Sequence, residues 1–126
     1  MNKQVEVAFN ILQLLSTIEE GINYIQKQLT ELRYEEAFVL LKDVVDGIAS
    51  IDKTLKPMEV KIKALQDEKI KRAKENLNQY ITEMVMLYKY KSKNHEELEK
   101  TLNLVINTFN VWKEEIEIII RCKVAS

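Results

Sequence analysis

The chain has 126 residues, 46% of them apolar and 31% charged, with a formal net charge of −1. That length suits a single domain over residues 1–126, and that balance suits a globular, soluble protein rather than a disordered one. Two glycines, one proline and one cysteine leave few places for sharp turns, exclude a phosphate-cradling glycine loop, and exclude an internal disulfide.

The first element is written in Ala8, Ile11, Leu15, Ile18, Ile22, Ile25, Leu29 and Leu32, which follow at alternating steps of three and four. This spacing predicts a helix over about residues 4–31 in a bundle or coiled coil. Gly21 lies within it and leaves room for a neighbouring helix. The seam resets after a tight turn near Leu32 and Arg33. Tyr34, Ala37, Leu41, Val44, Ile48, Ile51 and Leu55 then predict a second helix over about 34–55, with Glu35 and Glu36 in the first turn, where the helix dipole favours carboxylates.

Pro57 removes a backbone donor and suits the first turn of a helix, so it marks the start of a third helix over about 57–91. Within it the stretch LQDEKIKRAKEN, residues 65–76, holds seven charged side chains. The seam slips there: Met58, Ile62 and Leu65 set one phase, and Ile70, Ala73, Leu77, Ile81, Met84 and Tyr88 set another. The five-residue step from Leu65 to Ile70 signals a discontinuity in packing, and leaves open whether the helix is continuous through residues 65–76. Asn94 then reads as an N-cap with Glu97 as its capping-box partner. Leu98, Leu102, Val105, Phe109, Trp112, Ile116 and Ile119 predict a fourth helix over about 95–122. Four helices with short connections predict an all-α, antiparallel up-down-up-down bundle.

Function is constrained mainly by what is missing. Glu6, Asn10 and Gln13 interrupt what would have to be the apolar core of a signal peptide, and no stretch is long enough to span a bilayer. With a lone Cys122, the expected location is the cytoplasm. His95, the one histidine, follows the Asn94 cap and reads as a surface residue at a helix start. Cys122 sits at a helix C-terminus, where the dipole disfavours a thiolate. The inward positions carry no carboxylates and no Glu-x-x-His motif occurs, so no catalytic residue, metal site or cofactor is expected, and the chain reads as non-enzymatic.

Charge is distributed unevenly, −4 over residues 1–55 and +4 over residues 57–93, which points to oppositely charged segments lying side by side. The bundle topology gathers the start of the first helix and the end of the fourth at one end. There Phe9, Leu14, Val111, Ile118 and Ile120 fall outside the need of a single buried stripe. They are the predicted anchors of a protein contact, either a homodimer or a groove that holds a partner helix, as in an adaptor or chaperone. The alternative is a nucleic-acid accessory protein using Lys61, Lys69, Arg72, Lys89, Lys91 and Lys93, of which the last three interleave with tyrosines in YKYKSK. No recognised docking motif accompanies these lysines, so nucleic acid is the less favoured partner.

Overall fold

The computed structural model describes residues 3–90 and 94–125, with the side chains of Gln4 and of residues 123–125 set aside. Four helices form the predicted antiparallel bundle: α1 (Lys3–Thr30), α2 (Tyr34–Lys61), α3 (Glu68–Tyr90) and α4 (His95–Ala125). No strand occurs among the described residues. α1 packs most closely on α2 and α3 on α4, and the two hairpins meet chiefly through α1 and α4. The seams are the core. Ile11, Leu15 and Ile25 of α1, Leu41 and Ile51 of α2, Leu77 and Met84 of α3, and Phe109 and Trp112 of α4 are all fully buried.

The α1–α2 turn is closed by backbone hydrogen bonds. Arg33 N–H donates to Gln28 O at 2.8 Å and Leu32 N–H to Leu29 O at 3.0 Å, the bonding of a helix that ends on a left-handed residue. That residue is Leu32, at φ 62°, and its side chain is exposed rather than part of the first seam. Beyond the turn, α1 and α2 approach over two glycines. A Cβ on Gly21 would lie 3.2 Å from Val44 Cγ2, and one on Gly47 would lie 2.9 Å from Ile18 Cγ1. The room predicted at Gly21 is therefore used, and Gly47 provides its counterpart.

The second corner differs from the expectation. Helix two does not end near residue 55, and helix three does not begin at Pro57; α2 runs through Pro57 to Lys61. Its seam explains why, since Met58, Ile62 and Leu65 continue the spacing of Ile51 and Leu55 and are buried with them. Proline within a helix costs about 3 kcal/mol, whereas burying three such side chains contributes roughly 1.5–3 kcal/mol each. The break comes where the seam slips: a 3-10 turn spans Lys63–Gln66, and α3 starts at Glu68. Asp67, at φ −58° and ψ 140°, accepts from Lys69 N–H through Oδ1 at 3.3 Å, while its carbonyl accepts from Ile70 and Lys71. The stretch from Leu65 to Asn76 is thus a corner followed by the first turns of α3. The predicted end of that helix at Lys91 lies outside the described residues.

α4 opens on the expected Asn94 cap, its Oδ1 accepting from Glu97 N–H at 3.2 Å. Its seam holds as far as Ile116, but the next core residue is Ile120, and Ile119 is only half-buried. A straight helix of about 3.6 residues per turn, started at Leu98, reaches position 120 rather than 119 after about six turns. Ion pairs link the helices at the surface. Lys74 meets Asp52 between α3 and α2, Lys69 meets Glu115 between α3 and α4 at 2.9 Å, and Lys113 meets Glu19 between α4 and α1 at 3.3 Å. The Lys74–Asp52 pair joins the basic and acidic segments.

Candidate interaction surface

The five predicted anchors do not form one patch. Ile120 is fully buried, so it belongs to the core and leaves the candidate set. Leu14 shares a flank of α1 with Gly21, which rests on Val44, and is half-buried on the α2 side. Phe9 is exposed but lies on the flank of α1 that continues through Glu19 and Asn23, which line a groove with Ile106 and Asn110 of α4. Val111 and Ile118 lie on the opposite side of α4, toward α3. Exposed apolar side chains are also not confined to the predicted end, since Leu32, Val39, Met86 and Tyr90 stand exposed toward the other.

Val111 and Ile118 belong to a second stripe on α4. Thr101, Leu104, Thr108, Val111, Glu115 and Ile118 follow at alternating steps of three and four, and the Lys69–Glu115 pair fixes this flank beside α3. Val111 is 43% and Ile118 61% exposed, while Leu104 is half-buried. Thr108 donates its hydroxyl to Leu104 O, which satisfies the polar atom within the helix. Toward the α3–α4 turn the stripe enters a groove of about 500 Å³, lined by Met86 and Leu87 with Thr101 and Leu104 and edged by Glu83, Glu97 and Lys100. Leu104 and Met86 were not among the predicted anchors. Leu104 could have been found from its seven-residue offset to Val111, which repeats between Val111 and Ile118.

The described basic residues do not gather on one face. Lys61 ends α2 rather than lying on the third helix. Lys69 is engaged with Glu115, and that hydrogen bond together with the carboxylate charge holds its ammonium above the ordinary lysine value. Arg72 shares a flank with Lys69, but the same flank continues to Gln79, Glu83 and Met86. Lys89 points about 200° around α3 from Lys69 at 100° per residue. Lys91 and Lys93 lie outside the described residues.

The profile of a family described as a domain of unknown function (DUF8042) matches residues 6–115. The chain belongs to the DUF8042 family. No curated protein and no solved structure matches it.

In this DUF8042 chain the one histidine joins the two hairpins. The Tyr34 hydroxyl oxygen lies 2.9 Å from His95 Nδ1, and His95 Nε2 lies 2.9 Å from Glu99 Oε1, where a ring N–H donates to the carboxylate. His95 is therefore half-buried and bonded across helices rather than a plain surface residue. Beside it Phe38 stacks on Tyr88 with centroids 4.8 Å apart, and Lys42 Nζ lies 4.7 Å from the Phe38 centroid. The Tyr88 hydroxyl is buried and has no hydrogen-bond partner among the described residues. Burial, with Tyr34 close by, pushes it up to about 12.

Two outward carboxylates, Glu19 and Glu117, are also engaged. Lys113 bridges Glu19 and Glu117, and Arg121 reaches Glu117 at 3.1 Å. The hydrogen bond to Glu117 raises Lys113 above its ordinary value, partial burial opposes this, and Glu19 adds to it. Burial pushes the Glu117 carboxyl up, but hydrogen bonds from Lys113 and Arg121 outweigh it and leave the group below the ordinary value. Among the described residues no group of histidine, cysteine and carboxylate side chains is placed to hold a metal ion. No helix among them is long and apolar enough to cross a membrane. Cys122 is exposed and free.

Proposed function

We propose that this chain is a non-enzymatic helical module that works by protein contact, in the manner of an adaptor or small chaperone, and that it associates with a second copy of itself. The observation that carries this reading is the heptad stripe on α4 in which Val111 and Ile118 are exposed and Leu104 is half-buried, and which runs into the apolar groove beside Met86. A helix with one buried seam needs no second one, and a second seam at seven-residue spacing is the form that another helix recognises. The exposed single Cys122 is compatible with a reducing cytoplasm.

Mass action supplies the test. If folded copies pair and unfolded ones do not, the thermal midpoint rises with protein concentration. A midpoint unchanged over a hundredfold range of concentration would contradict the proposal.

A further inference from the structure

Resting on that reading of self-association, we infer that two copies meet antiparallel across the α3–α4 flank. Asn107 lies at the two-fold axis, Leu104 beside the partner's Val111, and Lys100 beside the partner's Glu114.

Two-fold pairing requires a face that complements itself when reversed, and this flank does so about Asn107. Leu104 and Val111 lie three and four residues to either side of it, so reversal sets one against the other. Lys100 and Glu114 each lie seven residues away and carry opposite charges, so reversal creates the pair twice. Asn107, Lys100 and Glu114 are all exposed, on the outer margin of the apolar stripe, where charges set orientation in paired helices.

α3 behaves in the same way. The Lys69–Glu115 bridge and the groove shared by Glu83 and Thr101 set the level of each α3 residue against α4. On that scale Asn107 falls midway between Arg72 and Glu83, which share the outward flank, so Arg72 arrives opposite the partner's Glu83. Ile118 reaches the end of the partner's groove beside the partner's Met86. A parallel pairing would instead oppose Lys100 to Lys100 and Glu114 to Glu114, which repel.

The experiment uses the full chain. Lys100→Glu alone and Glu114→Lys alone should each weaken dimerisation about tenfold, because each replaces two attractive pairs by two repulsive ones. The double exchange should restore it. In a Cys122→Ser background, Asn107→Cys should oxidise to a covalent dimer, whereas Asn110→Cys, on the α1 side of α4, should not. A dimer that ignores the charge exchanges and yields no cross-link at position 107 overturns this face and leaves self-association standing; a chain monomeric at every concentration overturns both. Each substituted position is exposed, and unchanged helical circular dichroism separates loss of pairing from loss of folding.

Discussion

Ile18 rests directly on Gly47: a Cβ added to the glycine would stand 2.9 Å from Ile18 Cγ1 and 3.0 Å from its Cδ1. Across the same interface Val44 faces Gly21 with slightly more room, 3.2 Å. In an exposed helix, replacing glycine by alanine gains about 1 kcal/mol, whereas overfilling a close contact costs roughly 1–3 kcal/mol. Gly21→Ala should therefore be close to neutral, and Gly47→Ala should lose about 1 kcal/mol in denaturant unfolding. Equal gains from both would mean that α1 and α2 are less closely apposed than described.

Leu32 holds a backbone conformation that costs a side-chain-bearing residue about 1–2 kcal/mol, at φ 62°. Its side chain is 61% exposed, so little burial offsets that cost. Leu32→Gly should raise stability by about 0.5–1 kcal/mol, the steric relief being partly cancelled by the greater freedom of glycine in the unfolded chain. A loss of stability would show that Leu32 makes contacts worth more than its strain.

Tyr88 makes stability depend on alkaline pH. Burial, with Tyr34 adding to it, raises its hydroxyl to about 12, so ionisation is harder in the fold than in the unfolded chain. The stability it contributes is complete below about pH 10, the ordinary phenol value, and is lost as the pH rises through the folded value. Tyr88→Phe should flatten that alkaline loss in unfolding experiments. At neutral pH it should leave stability unchanged or raise it by about 1 kcal/mol, since the hydroxyl it removes is buried without a partner among the described residues. A clear loss at neutral pH would reveal a bonded hydroxyl.

Much of the bundle is legible from spacing because burial follows the period of the helix. Every residue of the first seam from Ala8 to Leu29 is buried. The second corner was legible too, but two signals competed. Leu55 to Met58 is a step of three that carries the seam straight past Pro57, and burial along that seam outweighs the cost of the proline. The five-residue step from Leu65 to Ile70, with Asp67 and Glu68 inside it, marks the true break, and its charged residues belong to a helix start. Ile120 was misplaced because a strict alternation of three and four drifts from a straight helix over six turns. Phe9 and Ile118 fell on opposite sides of α4 for a different reason. Which helix neighbours which flank is set by packing between hairpins, and no period within one helix encodes that. Tyr34 and His95 lie 61 residues apart, and neither carries a local pattern that announces the other.

Whether the chain acts by pairing with itself is decided most directly by its mass in solution. Static light scattering on the wild-type chain, from low micromolar concentration upward, should give twice the mass of one chain, and Val111→Lys should return it to one. A wild-type mass of one chain at every concentration would contradict the account.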